Sequence, residues 1–156
     1  DSNLIARKLA RGNSVVCASP EYLRKHGHPS HPDTLRDHNC LLFSYSNNAS
    51  LWRFSNYKES CQIEVTGNYQ ANNSEALRQA LLKGFGVARL PTFIAGQDIQ
   101  KGELINLFPT YTMPHKDIYA LYIARQYLPK KVRVFLDFAT EFFGSDIPYW
   151  DKNSDR

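Results

Sequence analysis

From Cys61 to Tyr69 apolar and polar positions alternate: Ile63, Val65, Gly67 and Tyr69 fall on one side and Gln62, Glu64, Thr66 and Asn68 on the other. That period of two predicts a strand with one buried face. Past Glu75 the period lengthens. Ala76, Leu77, Ala80 and Leu81 share one helical face while Arg78, Gln79 and Lys83 point elsewhere, so an amphipathic helix follows the strand. Gly84 and Gly86 end it, and "VARL" is again strand-like up to Pro91. Earlier, "NSVVCA" and "CLLF" are continuously apolar and predict short buried strands, and "LWRF" predicts an aromatic one after the polar run "SYSNNAS". Between them "SPEYLRKHG" has the punctuation of a helix: Ser19 as cap, Pro20 in the first turn and Gly27 as a left-handed exit. "HPSHPDTLRDHN" predicts a loop with one helical turn that Asp33 can cap.

Further on, "TFIAGQDIQKG" predicts a short helix, "ELINLF" a strand, and Pro109 and Pro114 bracket a linker. "DIYALYIA" is a strand. "PKKVRVFLDFATEFF" is a helix with Val132, Phe135, Leu136, Ala139, Phe142 and Phe143 at helical spacing behind Pro129. The tail "GSDIPYWDKNSDR" is expected to fray. Strands alternating with helices predict an α/β architecture with largely parallel pairing. "LIARKLA" places apolar side chains at the N-terminus with nothing before them, which suggests that the sequence begins inside a domain.

A chain of 156 residues builds one domain with a real core, or two small lobes. Its 42% hydrophobic and 22% charged residues match a globular protein. No apolar run is long enough to span a bilayer and the N-terminus lacks the features of a signal peptide, so a soluble, cytoplasmic chain without a membrane partner is expected. Cys17, Cys40 and Cys61 are odd in number and widely spaced, and read first as buried thiols in a reducing cytoplasm, with a redox switch as the minor reading. The net charge of +4 comes from scattered Lys and Arg, and the short cluster "LPKKVR" reads as a solvated helix face.

Candidate chemistry narrows the picture mainly by exclusion. His26, His28, His31, His38 and Cys40 fit no zinc-ligand spacing, so neither a metal nor a cofactor is expected. No nucleophile elbow, phosphate loop or dinucleotide fingerprint occurs, and no enzymatic activity is expected. In "YQANNSEAL" Asn72 and Glu75 have capping-box spacing, which makes Asn72 the helix cap and leaves Asn73 as a spare amide. Phe85, between two glycines, reads as a core or rim aromatic, or else as a platform for a ligand.

Taken together, "DSNLIARKLA", "VVCASPEYLRKHGHPSHPDTLRDHNCL", "WRF", "ANNSEAL", "GFGVARLPTFIAGQDIQKGEL" and "YLPKKVRVFLDF" resemble, in order and over almost the whole chain to about Gly144, the effector-binding domain of LysR-type transcriptional regulators. The resemblance implies an α/β fold like that of type 2 periplasmic binding proteins, with two lobes, mixed but mostly parallel sheets, crossover strands and a small-molecule site in the cleft. Residues 18–111 would form lobe II, residues 1–17 and 112–144 an incomplete lobe I, and residues 145–156 a tail. The family's N-terminal helix-turn-helix has no counterpart here, so DNA would be reached only through that absent part.

By the same resemblance Asn73 would contact the effector, with Asn72 beside it. Ser44 and Tyr45 would join them where the "CLLF" strand ends, since open α/β sheets bind ligands at the carboxyl ends of strands. Arg7 would face an effector carboxylate, and Phe85 is the remaining candidate. Arg53 and Arg89 are left without a role. A homodimer or homotetramer is implied, with a small effector, one able to carry a carboxylate, acting allosterically. Two rivals stay open: a stand-alone solute-binding protein of the same fold, and an oligomerisation module without an effector.

Overall fold

In the computed structural model, which describes residues 4–45, 48–123, 128–144 and 147–152, the elements in chain order are β1 (Leu4–Ala10), β2 (Ser14–Ala18), α1 (Pro20–His26), a 3₁₀ turn (Pro32–Asp37), β3 (Cys40–Phe43), β4 (Leu51–Ser55), β5 (Ser60–Glu64), β6 (Gln70–Ala71), α2 (Ser74–Leu82), β7 (Val87–Pro91), α3 (Thr92–Lys101), β8 (Ile105–Asn106), β9 (Ile118–Ile123) and α4 (Lys130–Phe143). Expectations falling on residues 1–3, 46–47, 124–127, 145–146 and 153–156 lie outside the described residues. The chain divides into two compact units: residues 13–114, and residues 1–12 with 115–156.

The larger unit is built on a five-stranded sheet in the order β6-β3-β7-β2-β8. Its central strands are apolar on both sides because both sides are covered. Val15, Cys17, Leu41, Ala88 and Leu90 face α2 and α3, where they meet Leu77, Leu81 and Ala95. On the other side Val16, Ala18, Cys40, Leu42 and Val87 meet Tyr22, Leu35 and the inner residues of the β4–β5 hairpin, Trp52, Phe54 and Ile63. Continuous apolar runs such as "VVCA" are the sequence mark of such two-sided burial. Pairing is mixed. β3 runs parallel to β6 and β7, whereas β2 is antiparallel to β7 and β8, and the β1–β9 and β4–β5 pairs are antiparallel too. The expected parallel majority is therefore corrected: it holds for β6-β3-β7, while the β4–β5 hairpin, the reversed β2 and the β1–β9 ribbon are antiparallel.

Local punctuation follows the sequence closely around α1. Ser19 Oγ accepts from Tyr22 N at 3.3 Å, Pro20 opens the helix and Gly27 closes it at φ 85°. The 3₁₀ turn is capped by His31 Nδ1, which accepts from Asp33 N at 3.2 Å, and not by Asp33 as expected. Two predicted strands are shorter than expected. β5 stops at Glu64, and only Ile105–Asn106 of "ELINLF" pairs. Beyond β5 the chain leaves the hairpin and runs beside β3, with Cys40 N donating to Thr66 O at 2.9 Å and Leu42 N to Tyr69 O at 3.0 Å, and so close that a Cβ on Gly67 would lie 1.9 Å from Cys40 O.

In the smaller unit β1 and β9 form an antiparallel ribbon with Leu4 opposite Ile123 and Arg7 opposite Ala120. One face is covered by α4, whose Leu136 and Ala139 bury against Leu9, Ile118, Ala120 and Tyr122. The buried stripe is narrower than the helical spacing predicts, because Phe135 and Phe142 lie 64% and 56% exposed. Part of the tail expected to fray is folded: Pro148 is fully buried, Tyr149 N donates to Phe143 O at 3.0 Å and the Trp150 ring packs near that of Phe143.

Cys17 and Cys40 are fully buried and burial pushes both thiols up to about 12, so they remain protonated at neutral pH, and burial also raises the half-buried Cys61. Tyr22 Oη accepts from Asn39 N at 3.1 Å and lies 3.2 Å from His38 Nδ1, to which it can donate when the imidazole is neutral. Burial first, then the neighbouring His26, lowers the His38 pKa.

Two outcomes follow. A group held neutral in the fold contributes stability that is complete above its unfolded pKa of about 6.5 and is lost as pH falls through the lower folded value, so the melting temperature falls on acidification. His38→Gln makes that fall shallower, which a pH series of thermal melts records. Leu77→Ala, at a fully buried position between α2 and the sheet, lowers unfolding stability by about 2–5 kcal/mol in urea titration.

Candidate functional site

Parallel strands end at one edge of a sheet, and in this protein that edge gathers four polar side chains. β3 and β6 pair with Leu42 opposite Gln70 and Phe43 opposite Ala71, and the ladder runs one step further as Ser44 N donates to Ala71 O at 2.9 Å. Ser44 therefore emerges beside the turn that carries Asn72 and Asn73. Tyr45 packs its ring edge-on against Phe43, with centroids 6.2 Å apart, and its hydroxyl accepts from Asn72 Nδ2 at 3.4 Å. All four lie at the carboxyl ends of the strands, and Tyr45 is 76% exposed.

The cap of α2 is Asn73, one residue later than the capping-box reading. Its Oδ1 accepts from Glu75 N at 2.8 Å, and its backbone is extended at φ −131°, ψ 121°. Ser74 is thus the first helical residue and Glu75 the second, one position short of where a capping-box glutamate must stand. Glu75 turns along the helix, taking hydrogen bonds from Arg78 Nη1 at 2.7 Å and Gln79 Nε2 at 2.9 Å, which hold its carboxylate below the usual range. Asn73 Nδ2 has no partner among the described residues.

A buried ion pair that the sequence reading did not foresee holds this helix in place. Asp98 of α3 is 1% exposed, and Arg78 grips it through Nη2 to Oδ1 at 2.7 Å and through Nε to Oδ2, a fork that suits guanidinium and carboxylate. The same guanidinium bridges to Glu75 in the first turn, so the end of α2 that carries Asn73 is tied to α3. An aspartate among the apolar residues of "TFIAGQDIQK" was the available signal.

Phe85 is not brought to this group. α2 ends at Leu82, Gly84 turns the chain at φ 73°, and Gly86 passes so close to β3 that a Cβ there would lie 2.3 Å from Asn39 O. Phe85, 63% exposed, consequently stands at the amino ends of β3 and β7, where with Tyr69, Ala76, Ala80, Lys83 and Asn39 it lines an open groove of about 580 Å³. Arg7 is in the smaller unit, on β1, paired with Asp137 of α4 at 2.8 Å. Arg53 lies on the outer face of the hairpin and bonds Gln62 at 2.8 Å. Arg89 is half-buried on β7 and its Nη2 donates to Pro114 O at 2.9 Å, and burial depresses its pKa.

The histidines are dispersed, His38 to Tyr22, His31 to Glu59 and His28 to the Pro29 carbonyl. Among the described residues no three His, Cys, Asp or Glu side chains converge as metal ligands, and no helix is long and apolar enough to cross a membrane.

Residues 1–144 match the family described as the LysR substrate binding domain. Among curated relatives, the HTH-type transcriptional regulator DmlR of Escherichia coli (strain K12) is 33% identical over 94% of this chain and 48% of its own length. The HTH-type transcriptional regulator CrgA of Neisseria meningitidis serogroup C is 34% identical over 94% of this chain and 49% of its own. The chain thus spans about half the length of the regulators it matches. Among solved structures, the CrgA regulatory domain from Neisseria meningitidis superposes with a TM-score of 0.79 at 33% identity, covering 90% of this chain and 70% of that one. The regulatory domain of AphB in Vibrio vulnificus gives 0.74 at 33% identity, covering 91% and 71%. These neighbours have the type 2 periplasmic-binding-protein-like fold, in agreement with the expected fold class.

The cap assignment makes a sharp comparison of neighbours. Asn73→Ala removes the acceptor for Glu75 N and costs about 1 kcal/mol in chemical unfolding, whereas Asn72→Ala changes stability by less than about 0.5 kcal/mol.

Proposed function

Because the chain belongs to the LysR substrate-binding domain family, we propose that it senses a small effector at the carboxyl-end edge formed by Ser44, Tyr45, Asn72 and Asn73 and transmits its occupancy within a transcriptional regulator. The observation that carries this reading is that these residues share the ends of β3 and β6: Ser44 N donates to Ala71 O, Asn72 Nδ2 donates to Tyr45 Oη, and Asn73 caps the positive end of α2. Asn73 spends its oxygen on the cap and keeps its amide NH₂ to donate, and the helix terminus favours an anionic group by about 0.3–2 kcal/mol. Arg7, bound to Asp137, is the weaker candidate for such a group.

The lobe assignment belongs to the same reading, with the expected lobe II of residues 18–111 widened to 13–114 so that β2 stays in its sheet, residues 1–12 with 115–144 as the part of lobe I that is present, and residues 145–156 as a tail. The relatives are transcriptional regulators, and we assign the chain a regulatory role without catalysis, in the cytoplasm where DNA is reached, with DNA contact made by a part outside this sequence. The groove between Tyr69 and Phe85 suits pairing with a second copy, as a homodimer or homotetramer, because two exposed aromatics flank the small side chains Ala76 and Ala80. Phe85 is placed there rather than against the effector. Coupling of about 1–3 kcal/mol between effector binding and assembly geometry is enough for regulation.

Thermal melts against aromatic and aliphatic carboxylic acids test the site. A binding acid at 100 times its Kd raises the melting temperature by about 5–10 °C. Asn73→Ser keeps a capping oxygen but removes the amide donor, so it abolishes most of that rise while leaving the ligand-free melt close to wild type. A full response in Asn73→Ser rules out Asn73 as a contact.

A further inference from the structure

Among the described residues the other half-buried cations, Arg7 and Arg78, have counter-ions within reach: Arg7 faces Asp137, and Arg78 lies between Glu75 and Asp98. Arg89 has none. Its sole hydrogen bond among the described residues is the one to the Pro114 carbonyl, and no carboxylate there lies within ion-pair distance. Arginine keeps its charge under any such burial, so β7 carries a partly desolvated cation with most of its N–H donors unspent. Leaving such a charge uncompensated is costly.

Its place in the sheet says what can supply the missing charge. β7 runs parallel to β3 with Val87 opposite Cys40 and Ala88 opposite Leu41, so continuing the register sets Arg89 level with Leu42. By strand alternation Arg89 shares the sheet face of Val87, Cys40 and Leu42, and Ser44 follows on that face where β3 ends. We propose that Arg89 is the anion-binding residue of the effector site and that the effector is a carboxylate. One cation with no second Lys or Arg bonded beside it balances one negative charge, which a carboxylate carries and a phosphate monoester exceeds. This inference rests on the effector reading given above and moves the carboxylate partner from Arg7 to Arg89.

The experiment compares wild type, Arg89→Met, Arg89→Lys and Asn73→Ser by thermal melts with acetate, benzoate and the uncharged benzamide, and follows the Arg89 Nε–H cross-peak in ¹⁵N–¹H spectra during the acetate titration. The expected result is a saturable shift of that cross-peak, a benzoate affinity at least about tenfold weaker in Arg89→Met and partly rescued in Arg89→Lys, and a ligand-free melting temperature in Arg89→Met no lower than wild type. The proposal is overturned if acetate leaves the cross-peak unmoved, or if Arg89→Met melts lower without ligand and responds to benzoate as wild type does, which makes Arg89 a strut for the Pro114 carbonyl. A benzoate or benzamide response that Asn73→Ser abolishes and Arg89→Met retains overturns the role of Arg89 and leaves the effector site standing. No response to any of the three compounds overturns both.

Discussion

Two-sided burial of β2, β3 and β7 is the constraint on which the larger unit rests. Strands covered by α2 and α3 on one face and by α1 and the β4–β5 hairpin on the other have almost no room for polar side chains along their length. Polar chemistry is displaced to the strand ends, and the parallel run of β6, β3 and β7 brings those ends to one edge. Ser44 and Tyr45 come there beside Asn72 and Asn73, although the two pairs are far apart in sequence. Arg89 is the exception, a charge kept on a central strand, and its lack of a counter-ion among the described residues is what makes it informative.

α2 links two regions of different character. Asn72 and Asn73 lead into it with Asn73 as its cap, its last residues and the Gly84–Gly86 exit present the groove with Phe85, and the Arg78–Asp98 fork ties the helix to α3. An element held this firmly moves as a body. On the proposed reading, a ligand pulling on Asn73 and a second copy seated against Phe85 address the same rigid helix, which is a physical basis for communication between them.

Element type was largely legible in the chain, since hydrophobic period and punctuation placed the long strands and all four helices. Boundaries were less so where two equivalent residues stand side by side. In "ANNSEAL" either asparagine has the chemistry of a cap, and only the backbone decides that Asn73 takes the role and that Glu75 falls one position early. The alternating run from Cys61 to Tyr69 looked like one strand, but alternation cannot register that the chain changes partner after Glu64, from β4 to the backbone of β3 at Cys40 and Leu42. Pairing direction was hidden for a similar reason, because β2 meets β7 across a long stretch of sequence. For the candidate site, resemblance to a family pointed to Ser44, Tyr45, Asn72 and Asn73, which the fold brings to one sheet edge, to Phe85, which stands at the amino ends of β3 and β7, and to Arg7, which lies on β1 of the smaller unit and pairs with Asp137. Arg89 gave no signal of its own, as whether a strand arginine finds a carboxylate depends on tertiary structure alone.

Mapping amide chemical-shift changes across the ¹⁵N-labelled chain as a carboxylate such as benzoate is added tests the central claim most directly. The account predicts saturable shifts concentrated at Ser44, Tyr45, Asn72, Asn73, Ser74 and Arg89, with Tyr69, Lys83 and Phe85 unmoved. Shifts confined to the groove of Tyr69 and Phe85, with the strand-end residues silent, would contradict it.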